Sequence, residues 1–303
     1  MTATLLLAAV LIGCLLAVQA SANLQLTAAV GTPYGAATAQ LWLAVALLAV
    51  LATAAGAMGA LAGVLTVPGW YLLAGLASPL YITSGIFLFP RLGALAAGGL
   101  FVTGQVFASV LIDVFGLFGN PVRPLGAGIV IGAVAVLAGI TAVVLGPRLP
   151  QRSAPGWLVL GVLAGAALPV QGAVNARLRA ALIEPLAVAL VSFVVAALAI
   201  TVVLAVLLVT RRTPRPRPAG VRTMPWWGWL GGVCAVAYVT GTFLLIPAIG
   251  AAVTVALTVT GQQLAAAAVD ARGWFRLPRR AITLPRVAGL VLLVTGSVLV
   301  QLS

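Results

Sequence analysis

Apolar residues run along this chain in blocks of about twenty, separated by short polar or Gly/Pro punctuation, and no block alternates strictly. A block of that length fits a helix crossing a hydrocarbon core about 30 Å thick at about 1.5 Å per residue. Without alternation the blocks do not read as barrel strands. They predict a first span from Thr4 to Ala20 and further spans at residues 37–58, 67–88, 93–113, 125–145, 157–178, 185–209, 226–246, 249–270 and 283–301. The breaks fall at Gly31-Thr32-Pro33, Val67-Pro68-Gly69, Phe89-Pro90, Asn120-Pro121, Gly146-Pro147, Met224-Pro225 and Leu277-Pro278. The first block ends in Ala-Val-Gln-Ala-Ser, residues 17–21, which resembles a signal-peptidase site. No basic residue precedes it, and its Gln-x-x-x-Asn pattern (Gln19, Asn23) returns in mid-chain as Gln171 and Asn175. A retained first helix is therefore expected.

That recurrence is part of a duplication. A shift of about 152 residues carries Gly13, Gln19, Asn23 and Pro33 onto Gly165, Gln171, Asn175 and Pro185. A shift of about 157 carries Pro68, Trp70, Tyr81, Pro90, Gly93, Gly104, Gln105 and Asp113 onto Pro225, Trp227, Tyr238, Pro247, Gly250, Gly261, Gln262 and Asp270. The Arg/Pro-rich linker Arg211–Thr223 absorbs the change of offset. Each copy holds five helices, an odd number, so the second must enter the membrane from the opposite side. The fold class expected is an all-α integral membrane protein of about ten transmembrane helices, built as two inverted five-helix repeats. The repeats are placed at residues 1–150 and 151–303.

Composition narrows the class. Hydrophobic residues make up 63% of the 303 and charged residues 6%, too few for a soluble shell. The net charge of +13 comes from sixteen basic residues, all Arg, gathered at span ends. That pattern orients a plasma (inner) membrane protein and forms no nucleic-acid stripe. With both termini outside the cytoplasm, most Arg residues fall on the cytoplasmic side, and only Arg123, Arg177 and Arg179 run against the trend. The absence of His excludes a His-ligated metal centre, a Ser-His-Asp triad and a His relay. No metal or cofactor is expected, and Cys14 and Cys234, inside apolar runs, read as small core residues.

The candidate chemistry lies in matched polar residues. Two of three carboxylates, Asp113 and Asp270, end the fourth helix of each copy and precede Gly116-Leu117-Phe118 and Gly273-Trp274-Phe275. They read either as caps on those turns or as protonatable groups, one at each mouth of a pathway. Gln19 with Asn23, and Gln171 with Asn175, share a helix face at i,i+4. These amides, with Gln105 and Gln262, either staple helices or line a central cavity. Tyr81 and Tyr238 read as core or interface aromatics, or as a stacking wall for a substrate. Glu184, near Arg177 and Arg179, reads as a solvated or loosely paired loop charge.

Three motifs together resemble one bacterial family: Gln-x-x-x-Asn in the first helix, Pro-Trp-Trp before the third helix of a copy, and Gly-Gln…Ile-Asp-x-Phe-Gly-Leu-Phe-Gly closing the fourth. They are similar to the YdcZ-like branch of the drug/metabolite transporter superfamily, in its fused two-domain form. Leu111–Gly119 carries the most specific part. The resemblance implies a carrier in the bacterial plasma membrane. Helices one to four of each half would line a cavity, and the fifth would lie outside it. Copy two departs from the pattern at Asp270-Ala271-Arg272-Gly273-Trp274-Phe275, and Ser192-Phe193 stands where copy one has Gln40-Leu41. The expected partners are a small-molecule substrate and the lipid bilayer, without nucleic acid, and a homodimer stays open. A secondary-active carrier, exporting small metabolites or drugs with a proton as candidate coupling ion, is the first reading. A non-transporting scaffold or accessory subunit is the alternative. No grouping of acid, base and nucleophile suggests an enzyme.

Overall fold

The computed structural model describes residues 2–144 and 155–303. The expected break at Gly146-Pro147, Arg148, Arg152 and the boundary between the two repeats lie outside the described residues. Among the described residues ten helices are long and apolar enough to cross a membrane. These spans correspond to α1 (Thr2–Val30), α2 (Pro33–Ala54), α3 (Ala77–Leu92, within the span Gly69–Leu92), α4 (Ala94–Val114) and α5 (Ala127–Val144) in the first repeat. The second repeat holds α6 (Pro155–Leu182), α7 (Pro185–Val209), α8 (Leu230–Ile249), α9 (Ala251–Arg272) and α10 (Leu284–Leu302). Short 3₁₀ segments, Gly69–Leu76 and Trp226–Trp229, lead into α3 and α8.

Helix starts follow local chemistry. α2, α6 and α7 begin on a proline and α10 carries one at its second residue. Proline there lacks only an N–H that has no partner in the first turn, and its φ is already helical. The third and fourth helices of each copy are joined by one residue, Gly93 (φ 91°, ψ 163°) or Gly250 (φ 85°, ψ 153°), in backbone space that essentially only glycine occupies. The break expected at Phe89-Pro90 does not occur. α3 continues through Pro90 to Leu92, and Gly93 turns the chain. α1 is also longer than its apolar block suggested, so Gln19 and Asn23 lie within it.

The packing is symmetric under exchange of the copies. α1 lies against α8 and α9, and α6 lies against α3 and α4. α2 pairs with α7, and α5 with α10. The crossings use matched glycines. A methyl on Gly13 would overlap the Thr258 carbonyl, and one on its counterpart Gly165 would overlap that of Phe101. A methyl on Gly104 would overlap the carbonyl of Val162, and one on Gly261 that of Val10. Such close backbone approach is how helices associate in lipid, where apolar side chains gain little by leaving one apolar medium for another. α5 and α10 cross through Gly132 and Gly139 against Gly296 and Gly289 and otherwise touch only α4 and α9, which leaves them at the periphery.

Candidate functional site

The predicted polar residues form a column between the copies rather than one central ring. In its middle, Tyr81 of α3 stacks on Phe101 with ring centroids 4.7 Å apart. Its hydroxyl accepts a hydrogen bond from Gln262 Nε2 of α9 at 3.0 Å. The mirror pair is not joined. Tyr238 is half-buried with Thr258 beside it, and Gln105 Nε2 is buried without a partner.

Toward one end, Gln19 and Asn23 of α1 are buried, and the Asn23 amide lies over Gly231 at the start of α8. Gln40 of α2 donates to the Gly231 carbonyl at 3.4 Å. Both polar atoms of Asn23 and Oε1 of Gln40 lack partners among the described residues. Toward the other end, Gln171 of α6 donates to Ser78 Oγ at 2.9 Å and Ser192 Oγ at 3.3 Å. Asn175 donates to Ser192 Oγ at 3.4 Å. Gln171 and Asn175 are only half-buried. Asn23 lies seven residues from the end of α1 and Asn175 seven from the end of α6, about 10 Å along each axis, so the two Asn residues sit on opposite sides of the middle, while Gln19 and Gln171 lie nearer mid-helix. The copies are inverted, so residues matched in sequence sit at opposite depths unless they fall at mid-helix, as Tyr81, Gln105 and Gln262 do.

The two Asp residues part company more sharply. The side chain of Asp270 does not cap its own turn. Its carboxylate accepts the backbone N–H of Ala94 at 2.7 Å and of Leu95 at 3.2 Å, the first turn of α4 in the other copy. Arg286 Nη2 of α10 binds it at 2.9 Å. The carboxylate of Asp113 has no hydrogen bond or ion pair among the described residues, although Arg123 is near. Both main-chain carbonyls do hold the following turn: Asp113 accepts the N–H of Arg123 at 2.9 Å, and Asp270 that of Arg280 at 2.7 Å. Those turns place Phe118 (φ 56°) and Phe275 (φ 58°) in left-handed backbone that a bulky side chain rarely tolerates. Arg177 Nε holds the Phe118 carbonyl at 2.6 Å, and Gln25 Nε2 holds that of Phe275 at 2.9 Å. Arg177 thus departs from the orientation trend because it braces a turn. Glu184 is exposed and forms no ion pair among the described residues.

Sequence reasoning passed over Gln25, Gln40, Gln263, Arg280 and Arg286 as site residues. Gln263 is wholly buried beside Gly98, with both amide atoms unpartnered. Its mirror is Val106, and that of Gln40 is Ser192, so a search for matched residues skips both. An amide inside an apolar span was the available signal.

One end of the column is tight and the other is loose. Every residue from Ala94 to Val106 of α4 is buried, whereas the helix ends in partly exposed positions from Ser109 onward, apart from Ile112. α9 shows the reverse order, loosely packed near Ala251 and buried near Asp270. A surface pocket lined by Trp227, Trp274, Phe275 and Arg276 lies at the tight end and contains none of the column residues.

A family model described as "Putative inner membrane exporter, YdcZ" matches residues 4–142 and again 156–299. A solved structure described as "Crystal structure of protein" shares the fold, with a TM-score of 0.59 at 20% identity over 97% of this chain and 96% of that one. None of the curated proteins compared matches the chain. Matched once per repeat over nearly its whole length, this multi-pass membrane protein belongs to the YdcZ family of the drug/metabolite transporter superfamily.

Proposed function

We propose that the protein is a secondary-active exporter of small metabolites or drugs that works by alternating access between its inverted repeats. The observation that carries this reading is the unequal state of equivalent sites. The amide pair Gln19 with Asn23, at the Asp270 end, is buried, while its mirror, Gln171 with Asn175, is only half-buried. A scaffold has no use for buried amides without partners, each costing about 1–3 kcal/mol. A carrier uses them as donors and acceptors for a passing substrate. Between the two ends no fixed charge enters the column, which favours a neutral or weakly charged substrate. With Asp270 engaged by Arg286, Asp113 is the carboxylate through which a proton would couple transport. By the distribution of Arg, the Asp270 end faces the cytoplasm, and the termini and the open end face outward.

Ligand-induced thermal stabilisation in detergent, screened with metabolites and cationic drugs, finds the substrate. Proteoliposome flux then tests the site. The double change Gln171→Ala and Asn175→Ala should lower flux about tenfold or more while the protein stays folded. Unchanged flux removes the amides from the pathway, and a blank for both binding and flux favours the scaffold.

A further inference from the structure

The contacts that close the tight end point to a pair of alternating gates, an inference that rests on the carrier reading above. We propose that Asp270 with Arg280 forms the gate on one face, and that Asp113 with Arg123 forms the same gate on the other face in the opposite conformation. The closed gate is fully visible. Asp270 clasps the amino-terminus of α4 through Ala94 and Leu95. Arg280 Nη2 donates to the carbonyls of Pro90 (3.4 Å) and Arg91 (3.2 Å) at the end of α3. Together they grip the α3–α4 corner at both its exposed backbone ends. A carboxylate on free helix N–H groups and a guanidinium on free helix carbonyls are both favoured by the helix dipole. Gly93 at the corner is pressed by both side chains, whose atoms lie 2.7–2.8 Å from where its Cβ would be.

The mirror corner has the same parts apart from Arg286, whose mirror is Ile129, and among the described residues it makes none of the clasping contacts. Asp113 and Arg123 keep the spacing of Asp270 and Arg280 and share their backbone hydrogen bond. Gly250 keeps the backbone of Gly93, yet a Cβ there would meet only open space. The N–H groups of Ala251 and Ala252 stand where those of Ala94 and Leu95 stand in the closed gate. Swapping the roles of the copies brings Asp113 onto those N–H groups and Arg123 onto the last carbonyls of α8, while Asp270 releases α4. The two faces then exchange these clasping contacts like for like, and the unmatched Arg286–Asp270 pair sets the difference between the two conformations. Asp113, Asp270, Arg123 and Arg280 are positioning residues in this scheme and need not touch the substrate.

Two readouts that need no substrate test the gates, in protein with Cys14→Ala and Cys234→Ala. Ala97 of α4 is wholly buried behind the closed gate, so a cysteine there (A97C) reports opening through maleimide labelling. Cysteines at Ser109 and Val255, the mirrors of Ala266 and Gly98, whose Cβ positions would lie 3.8 Å apart behind the closed gate, report closure of the mirror gate through disulfide formation. Asp270→Asn should raise both rates about tenfold or more. Ala94→Pro should do the same without changing a charge. It deletes the shortest gate hydrogen bond at the first helical residue, a position proline accepts. Unchanged rates in a folded variant of either kind overturn the gates. Shifted rates without flux of any substrate keep the gates and remove the carrier. Flux with unshifted rates does the opposite.

Discussion

Replacing Gly104 or Gly261 with alanine is expected to destabilise the bundle strongly. Each added Cβ would overlap a main-chain oxygen, of Val162 or Val10, which cannot rotate away as a side chain could. The helices must separate instead. Overpacking of this kind costs about 3 kcal/mol or more, which corresponds to a melting shift on the order of 10 °C for a chain of this size. Gly172 supplies the contrast. It lies inside α6 with open space where its Cβ would be, so Gly172→Ala should leave the melting temperature unchanged or raise it, by about 0.8–1 kcal/mol of helix propensity. Melting in detergent, followed by loss of monodisperse protein, compares the three variants. Equal melting temperatures would mean that the crossings are looser than the backbone contacts show. Both crossings join one copy to the other, so the cost falls on the interface that a carrier must keep while its ends move.

Much of this arrangement was legible because duplication leaves matched residues in sequence. The pairs Gly13/Gly165 and Gly104/Gly261 reappear as the interlocked crossings, and Gly93/Gly250 as the single-residue corners. The repeat could say which residues are equivalent but not how far apart inversion places them. Asn23 and Asn175 therefore end up on opposite sides of the middle of the bundle. Asymmetry was also out of reach. What sets Asp270 apart from Asp113 is Arg286, whose mirror is Ile129, and nothing in the sequence says that Arg286 reaches back to that carboxylate. Gln25 and Arg177 stayed hidden for another reason. They perform the same task, holding the carbonyl of a left-handed Phe, with different side chains. Matching by residue type misses equivalence that is kept only in the hydrogen bond.

Arg286→Met is expected to have the other large effect. The Arg286–Asp270 pair is buried on both sides, with side chains 10% and 2% exposed. Removing one partner of such a pair costs about 3–5 kcal/mol, because the remaining charge stays buried without its counter-ion. The carboxylate keeps its two N–H partners on α4, which favours the lower part of that range. Asp270→Asn alone strands Arg286 with one carbonyl partner, Ala281 at 3.3 Å. The double variant strands no charge, so it should recover at least about 1 kcal/mol relative to the sum of the single changes. A melting cycle over the four proteins measures this, and additive losses would mean that water already solvates the pair. Arg286 has a second consequence that the cycle does not read. Its mirror position is Ile129, so it is the one member of the closed gate without a counterpart. Its attraction for Asp270 therefore biases the protein toward the conformation seen here. Without it the two gates become chemically alike, and the surviving folded protein should label A97C faster even where its melting temperature is restored by the second change.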